Sequence, residues 1–215
     1  MPDFLYILIF GLTGYLLGSI PFGLVLTKMF GYGDIRKIGS GNIGATNVLR
    51  TGNKSLALLT VILDASKAAF AAWIAAYFTP DKLFQIGEIS TSLDVFTTLF
   101  AGTCGILGHM FPCWLKFKGG KGVSSAFGLL LLTFWPVAAI AGLTWLLMAF
   151  IFRYSLLAAL TAAVVVLISS YFLTPTIYFC FYAFIVFMVI VKHKANIVRL
   201  LKGQESKISF SKKKV

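Results

Sequence analysis

Long apolar runs alternate with short polar stretches along this chain, and most of the runs are too long to be the buried faces of soluble helices. A helix needs about 20 mostly apolar residues to cross a bilayer. Runs over residues 4–26, 55–78, 95–115, 155–174 and 176–191 approach or meet that length. A further run over 123–152 carries Pro136 near its middle, where one helix can end and another begin. Gly14 and Gly18 put a small-residue face on the first run, suited to close helix packing.

The polar stretches orient the runs. The loop at 28–54 holds Lys28, Arg36, Lys37, Arg50 and Lys54 against Asp34 alone, and loops rich in Lys and Arg stay in the cytoplasm. The stretch at 79–94 is acidic, with Asp81, Glu88 and Asp94 against Lys82, and belongs outside. The tail at 192–215 carries a net charge of +7 and belongs inside, which requires two crossings, or a re-entrant pair, within 123–152. The pattern therefore predicts an all-α membrane protein of about seven transmembrane helices. They lie at 4–26, 55–78, 95–115, 123–135, 137–152, 155–174 and 176–191 of a single polytopic domain, 1–215. Its N-terminus is outside and its C-terminus cytoplasmic, and 17 of the 19 Lys and Arg then face the cytoplasm.

Composition agrees. The chain is 59% apolar and 12% charged, with a mean hydropathy of +0.90, far from a soluble domain. Its net charge of +12 is explained by the inner loops, so nucleic acid is not an expected partner. The first run follows Asp3 rather than a cation and lacks a short apolar core ending in a small-x-small site, which argues for a retained span over a signal peptide. Cys104, Cys113 and Cys180 sit in or beside apolar runs without metal-ligand spacing, so neither a disulfide framework nor a metal is expected. Asp64 and Lys67, three residues apart inside the second run, form a structural ion pair on one helix face.

Candidate chemistry gathers in three inner loops. In the first, Gly39, Gly41 and Gly44 match a dinucleotide fingerprint, but no strand or βαβ unit surrounds them, and the acid about 20 residues on lies inside a membrane run. What remains is a glycine-rich backbone with Ser40, Asn42, Thr46 and Asn47 as neutral donors and Arg50 as a bidentate phosphate grip. The second loop reads Lys116-Phe117-Lys118-Gly119-Gly120-Lys121-Gly122, followed by Ser124 and Ser125. Glycine lets successive N–H groups approach a phosphate, the lysines offset its charge, and a helix starting near Val123 adds its positive end. It is not a Walker loop, since Gly122 stands where Ser or Thr would hold magnesium. The third, from Lys192 to Glu205, places His193, Asn196 and Arg199 on one helical face. Bland alternatives exist for each: a flexible linker, a turn touching lipid headgroups, an amphipathic helix on anionic lipid. His109, near the inner end of the third run, reads as a hydrogen-bonded packing residue.

Five blocks, in order, resemble the bacterial acyl-phosphate:glycerol-3-phosphate acyltransferase family. They are Gly18-Ser19-Ile20-Pro21-Phe22-Gly23, the stretch from Gly39 to Arg50, Gly108-His109-Met110-Phe111-Pro112, Lys118-Gly119-Gly120-Lys121-Gly122-Val123, and the stretch from His193 to Glu205. The resemblance implies a seven-helix enzyme of the bacterial inner membrane with its active site facing the cytoplasm. It would pass a fatty acyl group from acyl phosphate to the 1-hydroxyl of glycerol 3-phosphate in phospholipid biosynthesis, without cofactor or metal. Its partners would be these two substrates and membrane lipid. By motif position, Ser40, Arg50, Lys121, His193 and Asn196 would be catalytic. Gly39, Gly41, Asn42, Asn47, Lys118, Gly119, Gly120, Gly122, Ser124 and Arg199 would bind substrate, and Glu205 would support structure. The family is thought to let a substrate phosphate take the hydroxyl proton. Where its pattern often has Ala-Thr, this chain has Ser124-Ser125 and keeps a hydroxyl. A transporter of organic phosphates is the main competing reading, and a non-catalytic scaffold a further one; related halves, which transporters often show, are not evident.

Overall fold

The structure is a computed structural model and describes residues 1–208. Lys212, Lys213 and Lys214 of the basic tail lie outside the described residues. Ten helices and one hairpin follow in order: α1 Asp3–Gly18, α2 Phe22–Met29, α3 Ala45–Val48, α4 Lys54–Phe78, β1 Leu83–Ile86, β2 Ile89–Ser92, α5 Leu93–Met110, α6 Val123–Thr133, α7 Trp135–Phe152, α8 Ser155–Leu173, α9 Thr176–Lys192 and α10 Lys194–Leu201. Five helical segments are long and apolar enough to cross a membrane, counting α1 with α2 as one, and the count becomes six if α9 and α10, bent by 55°, are joined. α6 is a shorter apolar helix.

Three departures from the sequence pattern have simple causes. The first run is broken at Ser19–Pro21, because Pro21 has no N–H to continue the ladder, and the Ile20 carbonyl accepts from Phe22 N at 3.1 Å and from Lys67 Nζ at 2.8 Å. The break within 123–152 falls at Phe134, ahead of Pro136, since proline is tolerated in a helix's first turn and Pro136 lies in that of α7. The third run stops being α-helical at Met110, and a short 3-10 turn, Cys113–Leu115, follows. The acidic stretch also folds into a hairpin that the apolar pattern did not announce, pairing Leu83 with Ser92 and Ile86 with Ile89 around Gly87.

Small residues let the helices meet backbone to backbone. A side chain at Gly14 or Gly18 of α1 would collide with the carbonyls of Ala101 or Gly105 in α5. α4 turns Leu56, Thr60, Asp64, Lys67, Ala71 and Ala75 inward, a helical stripe against α5 and α6. Leu99, Ile106, Met110, Leu129, Val137 and Tyr182 form the main core, and a second cluster of Leu24, Ile35, Ile43, Val48 and Leu56 lies under the first polar loop. That second cluster gives the loop a floor.

Candidate active site

The first loop is wound around one side chain. Asn47 is buried, and its amide donates to the carbonyls of Ile35 at 2.9 Å, Ile38 at 3.1 Å and Asn42 at 2.8 Å, while its Oδ1 accepts from Ser40 N at 3.1 Å. Asn42 Oδ1 in turn accepts from Gly44 N at 3.3 Å. Gly39, at φ +56, tucks beneath Asn47 and the Arg50 guanidinium, where any side chain would displace both. Ser40 and Arg50 are thereby presented on a rigid rim, and Arg50 donates to Ser206 Oγ across the mouth. Gly39 and Gly41 shape the loop and do not line the cavity below it.

The second loop is built differently. Gly119 N donates to Met110 O at 3.2 Å and Gly120 N to His109 O at 3.0 Å, so both amides cap the open carbonyls at the end of α5. In this arrangement those N–H groups are turned to the end of α5 rather than to the cavity. Their substance is closeness: a side chain on Gly120 would overlap the His109 ring. Lys192 reinforces the same corner, donating to Met110 O at 2.8 Å and lying 4.4 Å over the Phe111 ring. Lys118 is exposed and outside the cavity, while Lys121, Gly122, Val123 and Ser124 form part of its wall, at the N-terminus of α6. Burial holds the Lys121 ammonium down to about 8, with Arg199 and Arg50 pushing the same way and Glu205 opposing.

His193 stands at the bend between α9 and α10. Its Nδ1 lies 2.8 Å from the carbonyl of Val189, which can only accept, so Nδ1 carries the hydrogen and Nε2 is left as an acceptor. Burial chiefly, and the Lys121 charge, push the imidazole down to about 4, so it is neutral near pH 7. Asn196 Nδ2 donates to Glu205 Oε1 at 2.7 Å, and Arg199 Nε to Oε2 at 2.9 Å. Glu205 thus ties α10 to the segment after it, and Arg199 is turned to that carboxylate rather than to the cavity wall.

These elements enclose a cavity of about 400 Å³. Ser40, Asn42, Asn47, Arg50, Lys121, Gly122, Ser124, His193, Asn196 and Glu205 of the expected set line it, and Gly39, Gly41, Lys118, Gly119, Gly120 and Arg199 do not. Its other wall is apolar, from Val123, Phe127, Gly142, Trp145 and Ala159. Those same residues also line a groove of about 90 Å³ that lies between α6, α7, α8 and α9 and reaches Leu130, Val166 and Tyr182. Asp64, His109, Thr46, Ser155 and Ser206 also border the cavity. An ionisable residue inside an apolar run was the available signal for Asp64; Ser155 and Ser206 carried none.

A polar chamber with Arg50 and Lys121 in its wall, sharing its apolar side with a greasy groove, is the shape of a site joining a phosphate to a chain. The family model for glycerol-3-phosphate acyltransferase matches residues 8–203. The chain belongs to that family. A glycerol-3-phosphate acyltransferase of Mesorhizobium japonicum is 54% identical over 195 residues, covering 91% of this chain and 92% of that protein. One of Rhodospirillum rubrum is 48% identical, over 94% of this chain and 91% of the relative. Among solved structures, the glycerol 3-phosphate form of PlsY (YgiH), an integral membrane glycerol 3-phosphate acyltransferase, superposes with a TM-score of 0.82 at 35% identity, covering 94% of this chain and 96% of that one. Its lysophosphatidic acid form gives 0.80 at 34%, over 94% of each. The chain is therefore a multi-pass membrane protein and an enzyme with acyltransferase activity.

Proposed function

We propose that this enzyme transfers a fatty acyl group from acyl phosphate to the 1-hydroxyl of glycerol 3-phosphate, releasing lysophosphatidic acid and phosphate. The observation that carries the proposal is a polar cavity, with Arg50 and Lys121 in its wall, that shares its apolar side with a greasy groove. The first suits phosphates and the second a fatty chain, which would put the acyl carbon beside their shared wall. The solved relatives' glycerol 3-phosphate and lysophosphatidic acid forms support the acceptor and the product.

The chemistry follows from these groups. The hydroxyl oxygen attacks the acyl carbonyl carbon, the carbon–oxygen bond to phosphate breaks, and the hydroxyl proton ends on the departing phosphate. An anhydride donor is already activated, so orientation can supply up to about 7–11 kcal/mol of the barrier. Arg50 and Lys121 offset the phosphates, and the first amides of α6 together with Ser124 face the charge that develops on the carbonyl oxygen. His193, neutral with Nε2 free to accept, holds the attacking hydroxyl. The same reading takes seven crossings, with α6 and α7 spanning as a pair and the cavity opening to the cytoplasmic face of a bacterial inner membrane. Excess Lys and Arg on that side support it.

Purified protein in detergent, given acyl phosphate and glycerol 3-phosphate without any gradient, should release lysophosphatidic acid, measured by mass spectrometry. No product under these conditions would overturn the proposal and revive transport of organic phosphates.

A further inference from the structure

Two buried polar side chains on the cavity wall have no part in the chemistry above. Asp64 of α4 and His109 of α5 are only 2% and 4% exposed, yet both border the cavity. Asp64 Oδ1 lies 3.0 Å from Lys67 Nζ and 3.5 Å from His109 Nδ1. The Lys67 ammonium also donates to Ile20 O, 2.8 Å away, and so bridges that carbonyl and the carboxylate; among the described residues neither Asp64 Oδ1 nor His109 Nδ1 has a well-aligned hydrogen bond. Buried polar atoms are nearly always paired, and those that are not call for a partner. A carboxylate only accepts, so its natural partner is an O–H or N–H donor.

The chamber's charges are sorted. Arg50, Lys121, Arg199 and Glu205 act on one another, whereas Asp64 answers to Lys67 and His109. A phosphate dianion belongs beside Arg50 and Lys121, where the Glu205 carboxylate is already bound by Arg199 and Asn196, and away from Asp64. A molecule that is anionic at one end and a polyol at the other is aligned by such a chamber, its hydroxyl end toward Asp64. Of the acceptor's two hydroxyls, the one at carbon 1 faces His193 and the groove, which leaves the one at carbon 2.

We propose that Asp64, backed by His109, receives the secondary hydroxyl of the acceptor and so decides which hydroxyl is acylated. This rests on the acceptor being glycerol 3-phosphate. Lys67 has a matching role: it neutralises the carboxylate from Oδ1 and is anchored on the Ile20 carbonyl at the break after α1. Gly120 keeps the His109 ring pressed in place.

The test compares glycerol 3-phosphate with 3-hydroxypropyl phosphate, which lacks only the secondary hydroxyl. The wild type should use the analogue with kcat/KM lower by roughly tenfold or more, the loss expected for a hydrogen bond to a charged group. Asp64→Asn alone strands the Lys67 charge, so the informative variant is Asp64→Asn with Lys67→Met, which removes the buried pair together. In it the two acceptors should be used within about twofold of each other, by loss on glycerol 3-phosphate only. Should that variant fail to elute as a folded species, Asp64→Glu keeps the pair while moving the acceptor oxygen, and its preference should shrink in the same direction. Equal use of both acceptors by the wild type, or an undiminished preference in a folded variant, would sink the role of Asp64. If wild type neither binds nor acylates glycerol 3-phosphate, the acceptor assignment itself is what fails.

Discussion

Two glycine-rich basic loops face each other across the cavity, and they are alike in sequence and unlike in construction. The first surrounds a single buried amide: Asn47 gathers three carbonyls and one N–H, and the glycines give it room. The second hangs by its own backbone from the end of α5, with the amides of Gly119 and Gly120 consumed as caps. Glycine beside a cation, Arg50 in the first and lysines in the second, suggested a phosphate site in both. Where each N–H goes is a matter of accounting over the whole fold, and in the second loop it goes to the helix. One loop fails when a side chain is removed, the other when one is added.

Asn47→Ala should therefore have the largest effect. It leaves the Asn42 carbonyl and the Ser40 N–H without their partner, strips the Ile35 and Ile38 carbonyls of one of two, and Ser40 and Arg50 lose their rim. Unpaired buried groups cost about 1–3 kcal/mol each, so a loss near 3 kcal/mol, or roughly 100-fold in kcat/KM, is expected. Cleavage by trypsin at the exposed Arg36 and Lys37 should quicken alongside. An Asn47→Ala enzyme with normal turnover would mean that the loop is held by something else.

Gly120→Ala probes the other construction. The new methyl overlaps the His109 ring, and Gly120 cannot withdraw without giving up its bond to His109 O. Overpacking of this kind costs about 1–3 kcal/mol. Lys121, next in the chain, shifts with it, and the loss of about tenfold should fall mainly on KM for glycerol 3-phosphate. Unchanged KM with reduced folding stability would separate packing from positioning.

The charge on Lys121 gives a pH signature. Burial has brought its ammonium down to about 8, so it is charged below that pH and neutral above. Affinity for a phosphate dianion should be flat from pH 6.5 to 7.5 and fall as pH rises through 8, reaching roughly a tenfold higher KM near pH 9.5. His193, held down to about 4, adds no inflection in that range. Lys121→Arg should flatten the KM profile, because guanidinium keeps its proton throughout.

How much of this was visible beforehand differs by the kind of force involved. Helices were legible because run length and hydropathy are local: Lys54–Phe78 and Ser155–Leu173 end within a residue of the apolar pattern. The break at Ser19–Pro21 was obscured because apolar residues continue through it. The hairpin at Leu83–Ser92 has strands of four residues each, too short for alternation to stand out. In the site, residue type announced the cationic groups, but only tertiary hydrogen bonding separates Asn47, a staple, from Ser40, a presented hydroxyl. Asp64 was read as half of a structural pair, since charge pairing is visible at spacing three and a cavity wall is not.

The smallest effect is also the sharpest divider between two of the second loop's lysines. Lys118 and Lys121 are indistinguishable by motif, yet Lys118 is exposed with its N–H bound to Leu115 O at 3.1 Å, and Lys121 is on the cavity wall. A solvated charge outside the chamber acts on a phosphate only through screened, high-dielectric attraction. Lys118→Ala should then change kcat/KM by less than about twofold, a loss of at most a few tenths of a kcal/mol. Lys121→Ala, by removing a buried cation from the wall, should cost at least about tenfold at the same pH. Equal losses in the two variants would mean that the second loop closes over the phosphate when substrate binds. Gly119 and Gly120 would then have to release the α5 carbonyls, and the contrast between the loops would hold only for the empty enzyme.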